Sequence, residues 1–198
     1  MNENLNEIRM SGIRRFFNKV KGVDGAISLT LGQPDFKTPI EIKDGMIDAI
    51  ESEKTTYTDN SGLLELRKEI SSYLKTKGIN YDYNEICVTV GGSEALFSSL
   101  ISVINAGDKV LVPTPSYPAY ENIIKIVGGE VINYQLNDDF SLNFETIERL
   151  IKEENIKYMI LSYPSNPTGA ILSQEEYLKL VDIIKRHNLI IISDEIYE

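Results

Sequence analysis

The sequence predicts an α/β fold, a three-layer domain with a mostly parallel sheet. Three observations carry that reading. Short apolar runs of strand length alternate with longer stretches of helical periodicity, the connections between them are short, and no repeat or low-complexity linker interrupts them. The chain has 198 residues, 42% hydrophobic and 25% charged, enough to bury a sizeable core.

Leu5, Ile8, Ile13, Phe16, Phe17 and Val20 suggest a broken amphipathic helix, interrupted at Ser11-Gly12. Residues 26–31 (AISLTL) alternate like a strand and lead into the turn cluster Gly32-Gln33-Pro34-Asp35. Thr38-Pro39 reads as an N-cap with proline in the first turn of a helix through Ile42, Met46, Ile47 and Ile50. Residues 57–62 (YTDNSG) form a polar loop. Leu63, Leu66, Ile70, Tyr73 and Leu74 then mark one helix face, stopped near Gly78.

Residues 85–90 (EICVTV) read as a strand, followed by Gly91-Gly92-Ser93-Glu94 and a buried helix over 95–104. Strands are predicted at 109–113, 130–135, 157–162 and 189–192. Helices are predicted at 117–127, 143–154 and from the Ser173/Glu176 capping box to about His187. Connections should be right-handed crossovers, and ligands should sit beyond the carboxyl ends of the strands. The chain stops soon after an apolar strand, so a piece of a longer protein is expected.

Composition narrows the chemistry. Thirty acidic against 20 basic residues give a net charge of −10, a poor generic binder of nucleic acid or anionic membrane. The single Cys87 allows neither an internal disulfide nor a cysteine metal site, and the expected compartment is the cytoplasm. One histidine, His187, leaves no His-rich zinc site and no ordinary triad without it. No apolar stretch approaches the ~20 residues of a membrane helix, and residues 1–10 lack the pattern of a signal peptide.

Four constellations follow predicted strands and so converge on one sheet edge. Gly91-Gly92-Ser93-Glu94 opens a helix whose N-terminal amides and dipole suit a phosphate, although a plain tight turn with Ser93 as cap is the simpler reading of these residues alone. In 113–118 (PTPSYP), prolines stiffen a loop around Tyr117, a ring that either stacks on a flat ligand or caps the core. In 162–169 (SYPSNPTG), Asn166 is held between prolines, more specifically than an Asn-Pro turn requires. In 192–197 (ISDEIY), Asp194 follows an all-Ile run, where a carboxylate needs a partner; a protonated heterocyclic nitrogen would serve, and a turn cap would not explain Tyr197.

Together LTLGQPDF, YTDNSGLLELR, VGGSEAL, PTPSYPAY, YPSNPTG and SDEIYE resemble the fold type I pyridoxal-phosphate enzymes, specifically the class I/II aminotransferases, in order and near spacing. SGIRRF and ISLTLGQPDF further resemble the N-acetyl-diaminopimelate and aromatic aminotransferase branch. The resemblance implies residues 1–30 as an N-terminal arm and 31–198 as the N-terminal part of a large domain that binds pyridoxal 5'-phosphate. It implies that Asp194 meets the ring nitrogen, that Asn166 and Tyr197 meet the ring's phenolic oxygen, and that Tyr117 stacks on the ring. Gly92, Ser93 and Glu94 would hold the phosphate. Tyr57 would reach the phosphate of a neighbouring subunit in a homodimer, and Gly32 would lie near the substrate carboxylate. Amino acids and 2-oxo acids are the implied substrates.

Two parts of the family pattern are absent, the Schiff-base lysine and the arginine that binds the substrate carboxylate. Lys109 and Lys157 begin strands at the wrong end of the sheet. The chain by itself is therefore expected to be inactive. The alternatives are another fold type I enzyme, a C–S lyase or decarboxylase, or a non-catalytic fragment or binding module. A dinucleotide fold would need a GxGxxG string that LGQPDF does not supply.

Overall fold

The computed structural model describes residues 5–6, 8, 12–27, 29, 32 and 34–197. The chain divides into two compact units, one of Met1–Arg9 with Val90–Glu198, the other of Met10–Thr89.

The larger unit is the predicted α/β layer structure. Its strands are β1 (Lys109–Thr114), β2 (Glu130–Gln135), β3 (Tyr158–Ser162) and β4 (Ile190–Asp194), all parallel and ordered β2-β1-β3-β4. In β1, Val110 and Val112 face one cluster and Leu111 the other; in β3, Ile160 faces the first and Met159 and Leu161 the second. This period of two lets one sheet serve two apolar layers. On one face lie α4 (Gly91–Val103) and α5 (Ala119–Ile126), which bury Leu96, Leu100, Tyr120 and Ile124. On the other lie α6 (Phe144–Glu154) and α7 (Gln174–His187), which bury Ile147, Ile151, Leu180 and Ile183. Each fully buried side chain of this kind contributes ~1.5–3 kcal/mol.

Local residues finish the ends of α6 and α7, and of these the sequence predicts the Ser173/Glu176 box. Ser173 and Glu176 form the capping box of α7, and Asn143 caps α6 by accepting from Thr146 N–H. Asn155 and Asn188 close α6 and α7 in the left-handed region, with φ of 52° and 51°, and turn the chain directly into β3 and β4.

The 10–89 unit holds α1 (Gly12–Val20), α2 (Ile40–Glu51), α3 (Leu64–Thr76) and a 3-10 turn, Tyr83–Glu85. Among its described residues the buried side chains are Arg67 and Ser71, both polar. Arg67 donates from Nε to Gly62 O at 3.1 Å, from Nη1 to Tyr83 O at 3.2 Å and from Nη2 to Asp59 at 3.4 Å. Ser71 Oγ donates to Tyr81 O at 2.6 Å. Gly62, at φ +94°, packs its backbone on Val88; a Cβ there would lie 2.6 Å from the Val88 Cβ.

Three expectations need correction. The segment 85–90 is no strand: a 3-10 turn ends at Glu85, Ile86 is extended, and Val88 N–H bonds Ser61 O instead of a ladder neighbour. Thr38 does not cap α2, whose N-cap is Pro39 without a side-chain bond. The strand expected over 26–31 falls partly outside the described residues; Ala26, Ile27 and Leu29 are described, exposed and not in a strand.

Candidate active site

The strand order reverses direction between β1 and β3, and the loops beyond their carboxyl ends diverge there. Open parallel sheets bind ligands in that crevice. A cavity of about 260 Å³ occupies it, lined by Gly92, Ser93, Tyr117, Asn166, Asp194 and Tyr197, with Leu96, Tyr120, Ser162 and Ile196.

Gly92 and Ser93 reach it through α4, which begins at Gly91 with Val90 as N-cap and no capping side chain for its first amides. Such amides have no intrahelical acceptor and carry the positive end of the dipole. A Cβ on Gly92 would meet nothing within 4 Å. Glu94 is not among the lining residues. Its carboxylate instead accepts from Val90 N–H, one turn back.

Tyr117 stands in the loop after β1 and packs edge-on against Tyr120, with ring centroids 5.5 Å apart. Asn166 Nδ2 donates to the Tyr197 hydroxyl at 3.4 Å, so the loop after β3 and the turn after β4 meet. Asp194 ends β4. Its Oδ1 accepts from Ile196 N–H at 3.2 Å, the turn cap considered above. Its Oδ2 accepts from the Tyr120 hydroxyl at 2.7 Å.

Tyr120 and Ser162 are lining residues that the sequence reading passed over. Burial raises the phenol pKa of Tyr120 well above its ordinary value; the Ser162 hydroxyl opposes the rise, and the hydrogen bond to Asp194 and its charge add to it. Ser162 is 5% exposed, and its Oγ has no hydrogen-bond partner within ordinary limits. One signal was available for Tyr120. It lies three residues after Tyr117, and the helix predicted over 117–127 would put both rings on one side, although in the structure α5 begins only at Ala119.

The donor set suits one particular kind of ligand. Helix amides favour an anion, a carboxylate favours a cationic nitrogen, and an amide beside a phenol favours a ring oxygen. Together with a tyrosine face and an unsatisfied buried hydroxyl, this fits a phosphorylated, nitrogen-containing aromatic such as pyridoxal 5'-phosphate.

Tyr57 and Gly32 belong to the 10–89 unit, where both are exposed, Tyr57 fully so. Lys109 opens β1 and pairs with Glu154 at 2.5 Å; Lys157 directly precedes β3. Both lie at the amino-terminal rim, away from the cavity. Among the described residues no helix is long and apolar enough to cross a membrane.

Comparison with known proteins gives the same direction. A family model described as aminotransferase class I and II matches residues 24–198. The chain is 42% identical to a Bacillus subtilis protein named "Probable N-acetyl-LL-diaminopimelate aminotransferase", over all of this chain and 51% of that protein. It is 38% identical to a "Probable aspartate aminotransferase" of Methanocaldococcus jannaschii, over 96% of this chain and 50% of that one. Its fold superposes on the aspartate aminotransferase of Thermus thermophilus solved with maleate, with a TM-score of 0.93 and 30% identity, covering 100% of this chain and 53% of that chain. The chain thus spans about half the length of the curated relatives it matches.

Proposed function

We propose, for a chain that belongs to the class I and II aminotransferases, that the whole protein moves an amino group from an amino acid to a 2-oxo acid using pyridoxal 5'-phosphate. The observation that carries this is the single cavity holding Gly92, Ser93, Tyr117, Asn166, Asp194 and Tyr197. When bound, the cofactor supplies an electron sink for negative charge at the amino acid α-carbon.

This chain's residues hold and tune that group. The Gly92, Ser93 and Glu94 amides, with the Ser93 hydroxyl, bind the phosphate at the start of α4. Tyr117 covers one face of the ring. Asp194 accepts the proton-bearing ring nitrogen and favours its cationic form, which strengthens the sink. Asn166 and Tyr197 bond the ring's phenolic oxygen. Tyr57 reaches the phosphate held by a second copy in a homodimer, and Gly32 passes the substrate carboxylate. Residues 31–198 are the first part of the large cofactor domain, preceded by an arm over 1–30. The working compartment is the cytoplasm. The resemblance in 11–16 and 27–36 and the names of relatives support the N-acetyl-diaminopimelate and aromatic aminotransferase branch.

No lysine is among the residues that line this cavity, so the 198-residue chain is expected to bind the cofactor without turnover. Equilibrium dialysis with pyridoxal 5'-phosphate tests this. Saturable binding is expected, weakened at least about tenfold by Asp194→Asn. Absence of saturable binding overturns the reading. So does transamination by this chain alone.

A further inference from the structure

Tyr120 sits in the first turn of α5 and is 1% exposed, packed in the apolar layer with Leu100, Ile124 and Ile160. A phenylalanine would fill that layer equally well. The hydroxyl is the part packing does not explain, and it spans 74 residues of sequence to donate to Asp194 Oδ2 at 2.7 Å. The other carboxylate oxygen accepts from Ile196 N–H at 3.2 Å. Both oxygens are thus held by donors from different elements, which fixes the carboxylate plane. Each oxygen has two acceptor positions, so capacity remains for a donor in the cavity. An untethered aspartate at a strand end would rotate into solvent.

We infer that Tyr120 is a positioning residue for the cofactor: it acts through Asp194, fixing the orientation in which that carboxylate receives a protonated ring nitrogen. The inference rests on the cofactor reading above and adds a residue to it. Burial keeps the phenol protonated through the neutral range, so its hydrogen bond to Asp194 persists there. The ring, wedged against Tyr117 and the core, makes the strut stiff.

The test compares two probes, pyridoxal 5'-phosphate and the analogue with C–H in place of the ring nitrogen. Each is titrated against the unaltered chain, Tyr120→Phe and Asp194→Asn, with circular dichroism confirming the fold. Tyr120→Phe is expected to weaken the cofactor roughly tenfold and leave the analogue within about twofold. Equal weakening of both probes, or none of either, overturns the inference. If Asp194→Asn separates the probes and Tyr120→Phe does not, the cofactor site stands and Tyr120 alone is removed from it. If the unaltered chain binds neither probe, the cofactor reading itself falls and takes the inference with it. The contrast is also readable without substitution: the Tyr120 hydroxyl proton is expected to shift in NMR spectra on binding the cofactor and not the analogue. Identical shifts with both overturn it.

Discussion

Leu111 and Ile160 of the sheet unit are sealed from water, whereas Ile42, Met46 and Ile50 of α2 in the 10–89 unit are each more than half exposed. The two regions have comparable apolar side chains and use them oppositely. The sheet unit closes both of its faces with its own helices. In the 10–89 unit the buried side chains are Arg67 and Ser71, so hydrogen bonds to loop carbonyls order it more than apolar packing does. The difference teaches where rigidity lies. The candidate cavity is built wholly in the region that buries its own core, and a geometry-demanding site needs such support.

The comparison can be broken most forcefully at Leu111→Ala. Truncating a fully buried central-strand leucine is expected to cost about 2–5 kcal/mol in denaturant unfolding of the sheet unit. A cost below about 1 kcal/mol would show that the sheet layers are not the source of its stability. Arg67→Ala sharpens the other side. It strips donors from the Gly62 and Tyr83 carbonyls, and about 1–3 kcal/mol is expected. Hydrogen exchange should quicken at Gly62 and Val88 while the β1 and β3 amides stay protected. Uniform quickening in both units would erase the distinction.

The smallest effect concerns pH. Glu176 is held below its ordinary pKa of 4.5, first by the Ser173 backbone N–H and hydroxyl, with Leu142 N–H adding. Its folded pKa is depressed, so its contribution is fully present above about pH 4.5 and is lost as pH falls through the lower folded value. The group is solvated, and the loss should be modest. Glu176→Gln is expected to flatten that part of the melting-temperature profile between pH 5 and 3, measured by calorimetry. An unchanged profile would remove Glu176 from the ledger of the sheet unit.

Much of this was legible in the residues because buried parallel strands and amphipathic helices leave strong periodic signals. The runs around Leu111 and Ile160 and the Ser173/Glu176 box lie within a residue or two of their predicted bounds. Segment 85–90 misled because extended backbone and a paired strand share one local pattern; pairing depends on a distant partner. Thr38 misled because a cap needs φ, ψ and reach as well as residue type. The cavity residues Asn166, Asp194 and Tyr197 were visible as strings after strands. Tyr120 was not, because on a helix an apolar-face tyrosine reads as core, and only the fold reveals what its hydroxyl touches.

Asn155 and Asn188 carry a last consequence. By reversing the chain at the amino-terminal rim, they settle the route of each crossover before β3 and β4 begin. The loops at 115–118 and 163–172, at the far rim, are thereby relieved of steering the polypeptide. Apart from Tyr117 and Asn166, which line the cavity, their residues can change while the scaffold beneath them stays as it is.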